Sequence, residues 1–173
     1  MDGHTPDMPR HYDLHLWAFK DNPSGQFAQF NPEVSPPSWW DQYEEALTAL
    51  QQYADTSQAK AAGYMNTGEC EATEEGAMGI HFVNPAVQTL DPANPFALMY
   101  VPTSDTSMAL LGAEYFVPAD SVDSAPMMFG QVFQGPMEGH TPDMPRHYDL
   151  HLWALRTNPM GMFAEWNPMV SCP

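Results

Sequence analysis

Residues 3–18, GHTPDMPRHYDLHLWA, recur letter for letter at 139–154, a shift of 136 positions. The likeness continues at lower fidelity, KDNPSGQFAQFNPEVS at 20–35 against RTNPMGMFAEWNPMVS at 156–171, giving 25 identities over the 33 positions 3–35. A duplicated segment constrains the fold before any propensity does, because the same apolar face has to be covered twice. The 101 residues between Ser35 and Met137 resemble neither copy, which excludes a solenoid. Three arrangements are open. Both copies pair within one domain about a pseudo-twofold axis; or one copy completes its own domain while the other docks into a neighbouring chain by strand donation or swapping; or the chain is one 136-residue unit plus part of the next in a tandem array.

Two cysteines bear on that choice. Cys70 stands mid-chain and Cys172 closes the second copy, whereas the matching position of the first copy is Pro36. Paired, they close a loop worth ~4–5 kcal/mol in the chain-entropy picture and staple the second copy alone to the middle of the chain. Unpaired, they are two free thiols. The paired reading makes residues 37–173 a single β-rich domain with helices at 38–63, and residues 1–36 an appended duplicate of the C-terminal segment.

Charge narrows the partners. With 22 acidic and 5 basic residues the formal charge is −17, which argues against nucleic acid and anionic membranes. Such a surface fits a secreted or salt-adapted protein kept soluble by its charge. The acidic cluster Glu69, Glu71, Glu74 and Glu75 reads as a solvated loop in preference to a cation site. No apolar run approaches the ~18 residues of a membrane span. No signal peptide is visible, and the match of Met1 to Met137 suggests a processed start; the expected compartment is extracellular or periplasmic, with a cytoplasmic protein as the alternative.

Along the chain, Arg10–Phe19 alternates, with His11, Asp13, His15 and Trp17 on one face and Tyr12, Leu14 and Leu16 on the other, which predicts a strand. Ser38 is placed to cap a helix from Trp39 to about Tyr53, with apolar residues at 3–4 spacing, and Thr56 to cap a short helix ending at Gly63. From Gly76 the pattern is short strands: Met78–Val83, Phe96–Val101, Met108–Val117, Met127–Phe133 and His147–Leu155. Asn-Pro and Asp-Pro turns separate them. The expected fold is α+β, a small antiparallel β-barrel or curled sheet with an N-terminal helical segment that covers one side or plugs an end.

Several of these strands carry an ionisable group among apolar neighbours. His81 stands in GIHFVNP, Glu114 in LLGAEYFVP, and His147, Asp149 and His151 in HYDLHLW. Positions two apart on a strand lie ~6.6–7 Å apart on one face and positions four apart ~13 Å, so one ion takes His151 or His147 but hardly both. Two imidazoles and a carboxylate from three strands make a facial donor set that suits copper, iron or zinc as a divalent transition metal. The plainer reading is a Glu–His pair satisfying its own hydrogen bonds inside a barrel. In the first copy, His11, Asp13 and His15 form a matching second half-site that lacks its own His81 and Glu114. Met160, Met162 and Met169 replace Ser24, Gln26 and Glu33 of the first copy, which predicts different burial for the two.

At GIHFVNP (79–85), EYFVP (114–118) and HYDLHLW…NPMGMFAEWNP (147–168), the chain resembles an uncharacterised family of small, mostly secreted bacterial and haloarchaeal proteins. That family carries G-x-H-F-x-N-P, E-Y-x-V-P and L-H-x-W…N-P-x-G-x-F…N-P motifs, and the likeness covers roughly residues 60–173. It implies that the C-terminal copy is the family's own last element, singles out His81, Glu114 and His151, and supplies no activity. Residues 1–36 depart from it as an extra closing segment at the wrong end.

Three functions follow. The first is a metal-binding β-rich protein with a His/Glu/His site, as in a small metalloenzyme. The second is a structural protein that self-associates, as a homo-oligomer or filament, through residues 1–36. The third is a ligand-binding barrel without metal.

Overall fold

The computed structural model describes residues 14–17, 20–34, 37–104, 107–139 and 144–173. It is a mixed α+β fold, a strongly curled six-stranded antiparallel sheet forming a half-barrel with helices at its N-terminal side. Helix α1 spans Trp40–Gln51 and buries Tyr43, Ala46 and Leu50, the 3–4 spacing of an amphipathic helix. Its cap differs from expectation. The helix is entered through Trp39, with no side-chain cap, because the Trp40 amide bonds to the Pro37 carbonyl at 3.0 Å. A 3-10 turn, Gln52–Ala54, leads to α2, Thr56–Ala61. There the cap is Asp55 and not Thr56, the carboxylate accepting from the Ser57 amide at 2.8 Å.

The large sheet comprises β1 (Met65–Thr73), β2 (Gly76–Val83), β3 (Ala97–Ser104), β4 (Ser107–Pro118), β7 (Gln134–Met137) and β8 (His147–Leu152), in the order β1-β2-β3-β4-β8-β7. Alternation sorts its two faces. Ile80, Phe82, Leu98, Tyr100, Ala113, Tyr115, Val117, Leu150 and Leu152 pack against the helices in the main core. Met99 and Leu111, with Ala77, Trp153 and Val170, form a second, smaller core.

Two strands carry no sequence signal. β1 is almost wholly exposed and β7 contains Pro136; both are edge strands, where acidic residues and proline are tolerated because one side needs no partner. Residues 127–133 are not one strand. They fold as a tight hairpin, β5 (Met127–Met128) and β6 (Gln131–Val132), turning on Phe129 and Gly130 at φ of 53° and 67°.

The two copies differ upstream of their tryptophans and agree downstream. Residues 14–17 are not a strand, whereas the matching 150–152 end β8. From Trp17 onward the described residues of the two copies share the hydrogen bonds internal to the loop. The Trp17 amide reaches Gln26 O at 2.9 Å as Trp153 reaches Met162 O at 2.8 Å, and the indole nitrogens bond to Ala28 O at 2.7 Å and Ala164 O at 2.6 Å. Asn22 and Asn158 each accept from the amide two residues on and donate to Phe30 O and Trp166 O at 2.9 Å. Each Asn-Pro thus makes a side-chain-locked turn. Gly25 and Gly161, at φ of 116° and 119°, occupy a conformation that a side chain would strain. The two loops meet at these glycines. A Cβ on Gly25 would lie 3.4 Å from Gly161 Cα, and equivalent residues in contact are the mark of a local twofold. Of the three methionines special to the second copy, Met162 is buried while Met160 and Met169 are exposed.

Cys70 and Cys172 form a disulfide across 102 positions. It ties the end of the second copy to the edge strand β1.

Candidate metal centre

Three strands bring one polar side chain each to the same point. Glu114 of β4 pairs directly with His151 of β8. His81 of β2 lies beyond β3, where it pairs with Met99 while Ala97 pairs with Glu114. The short Ala97 side chain on the intervening strand leaves room for His81 and Glu114 to meet, Nε2 to Oε2, at 3.3 Å. The imidazoles of His81 and His151 stand edge to face with centroids 6.3 Å apart. One donor atom from each of His81, Glu114 and His151 falls within 4.8 Å of the other two. The residues line a cavity of about 630 Å³, also walled by Met65, Thr67, Glu71, Phe116, Met144 and Asp149.

Electrostatics mark this point as unusual. Burial first, then the nearby Asp149 and Glu71, push the Glu114 carboxyl up to about 8, so that it holds its proton at neutral pH. Burial and then Glu165 raise the Asp149 carboxyl as well. Asp149 is 1% exposed, and its Oδ1 has no hydrogen-bond partner among the described residues. Water-excluded carboxyls that face one another want a cation or a proton between them.

His147 is not part of the cluster. Its ring is fully buried and stacks on Phe116 at 4.6 Å, and Nδ1 lies 2.9 Å from Pro145 O. A carbonyl only accepts, so Nδ1 carries the hydrogen and Nε2 faces Asp149 Oδ2 at 3.9 Å. Of the second half-site, His11 and Asp13 lie outside the described residues; His15 is half-buried, on a stretch that is not a strand.

No family model, curated protein or solved structure matches the chain. The site therefore stands on its own geometry. Sequence reasoning named the three clustered residues and missed two neighbours. Glu71 was read with the solvated acidic loop, yet it sits on β1 and lines the cavity. Asp149, which alternation turns inward with His151 but which the sequence leaves out of the ligand set, lines the same cavity. Its spacing of two from His151 carried the signal, since both must then share a face.

Proposed function

We propose that this protein binds one divalent transition-metal ion through His81, Glu114 and His151. The observation that carries the reading is the convergence of two imidazole nitrogens and one carboxylate oxygen, from three strands, within 4.8 Å. An ion at ~2.0–2.2 Å from three donors needs them ~3–3.6 Å apart. The His81–Glu114 pair is already at 3.3 Å, and side-chain rotation of about an ångström closes the rest. A facial set of two nitrogens and one oxygen leaves positions open on the cavity side, which suits iron, zinc or copper with a small molecule as further ligand. When bound, the ion supplies Lewis acidity or redox chemistry; Asp149 and Glu71 on the cavity wall bias the pocket toward cationic or hydrogen-bond-donating ligands.

The Cys70–Cys172 disulfide favours an oxidising compartment, extracellular or periplasmic, in keeping with the resemblance to a secreted family. No helix among the described residues is long and apolar enough to cross a membrane. A second reading, self-association through the duplicated segment, is favoured by the exposure of Leu14, Leu16, Phe30 and Val34.

Elemental analysis after loading with iron(II), zinc(II) or copper(II) and desalting tests the first reading. About one equivalent is expected in the wild type, with at least a tenfold loss of affinity in His81→Ala and Glu114→Ala. Substoichiometric metal that His81→Ala leaves unchanged would end it, and would leave a metal-free ligand pocket as the account.

A further inference from the structure

One sequence has opposite burial at its two locations. Leu150 and Leu152 in β8 are 1% and 0% exposed, whereas Leu14 and Leu16, at the identical positions of the first copy, are 79% and 59% exposed. Downstream the contrast continues, with Val170 buried and Val34 exposed. Yet the described residues of the closing loop between Trp17 and Val34 make the same internal hydrogen bonds as their twins. The segment thus has its turn geometry satisfied and its strand side chains uncovered.

The surface that fits those side chains is the slot between β4 and β7, which β8 fills. We infer that the first copy, described from Leu14 onward, is a second closing segment for the β4–β7 slot of another copy of this chain. There His15 takes the place of His151 beside the receiver's His81 and Glu114. The His15 assignment rests on the metal reading above; the exchange of segments does not.

Two observations support that occupant. The slot selects His147, Asp149, Leu150, His151, Leu152 and Trp153, and residues 11–17 supply the same side chains in the same order. Replacing one strand by the other therefore preserves the ladder and packing. The two copies differ where the resident one is fastened: buried Met162 matches Gln26, and disulfide-bonded Cys172 matches Pro36. The resident copy is thus favoured while the disulfide is closed, and exchange is released when a thiol reductant delivers two electrons and two protons, leaving Cys70 and Cys172 as thiols.

The double variant Pro36→Cys, Cys172→Ser moves the bridging thiol to the first copy and tests the inference. Expected on non-reducing electrophoresis is a species of twice the chain mass or higher multiples, collapsed by dithiothreitol and absent from Cys172→Ser alone. A monomer, with its thiols free or joined within one chain, would overturn it. Should the variant not fold, wild-type protein in dithiothreitol is weighed by light scattering. A mass at least doubled, and restored to monomer by deleting residues 1–36, is expected; a constant monomer mass overturns the inference. In the exchanged form, His151→Ala retains bound zinc and His15→Ala with His151→Ala loses it; equal loss from both overturns the role of His15. Wild-type protein that takes up no metal sinks the site and leaves the mass result standing.

Discussion

Glu114 shows how one buried carboxyl links stability to ligand binding. In the unfolded chain it titrates near 4.5, and in the folded protein burial raises it to about 8; Asp149 moves the same way, from 3.8 to about 7. Between those limits the folded state holds protons that the unfolded state has released, so folding is favoured at low pH and loses ground as pH rises. The stabilisation is fully present below about pH 4 and disappears as pH passes through 7 to 8. Thermal unfolding of the metal-free protein should therefore occur at a lower temperature at pH 8 than at pH 5. The expected change is on the order of a few kcal/mol, or about 5–10 °C. Glu114→Gln should remove the Glu114 share of this dependence, because an amide stays neutral throughout, and leave the share of Asp149. A midpoint that rises over this interval would show that Glu114 is charged in the fold. A bound divalent ion reverses the sign at that residue, since it holds the carboxylate form, and metal affinity should increase with pH up to about 8.

At the scale of elements, the meeting of β4 and β8 is the join on which the site depends, because it sets Glu114 opposite His151. Gly112 lies just before that pairing, where a Cβ would stand 1.9 Å from the Leu152 carbonyl oxygen. Backbone cannot rotate away as a side chain does, so Gly112→Ala should push the strands apart. A loss of at least about 2 kcal/mol in urea unfolding is expected, with weakened metal binding; wild-type stability in that variant would mean the strands sit farther apart. The parts of this architecture legible in sequence are those with two-faced alternation. GIHFV, LLGAEYFV and HYDLHL each put polar groups on one side and core residues on the other. β1 and β7 escaped notice because an edge strand has no second partner and little to bury, leaving no periodic signal. The hairpin at 127–133 was missed because Phe129 takes a positive φ that its residue type does not announce. The strand expected at 10–19 fails, where described, for a different reason. Its pattern is right, but a strand needs a neighbour to bond with, and sequence does not say which of two identical segments receives one.

For the molecule as a whole, the closing segment acts as a strap. It leaves β8 at Trp153, which with Val170 packs on Ala77 of β2, Met99 of β3 and Leu111 of β4. Asn167 bridges to Ala77 at the start of β2, and Cys172 is bonded to β1. One disulfide thus fastens a segment that crosses the sheet from β8 to its far edge. Cutting it removes a constraint across 102 positions, which in the chain-entropy picture costs about 4–5 kcal/mol of stability. The loss should not spread evenly. β1 is exposed along most of its length, and its residues Met65, Thr67 and Glu71 form one wall of the cavity, so that wall should loosen first. Cys70→Ser with Cys172→Ser should therefore show a lower urea midpoint and earlier hydrogen exchange in 65–73 than in 110–117. Metal affinity should fall severalfold although no ligand has been touched. An unchanged midpoint, or uniform exchange across both strands, would mean that the apolar strap alone holds the far edge and that the disulfide adds nothing to it.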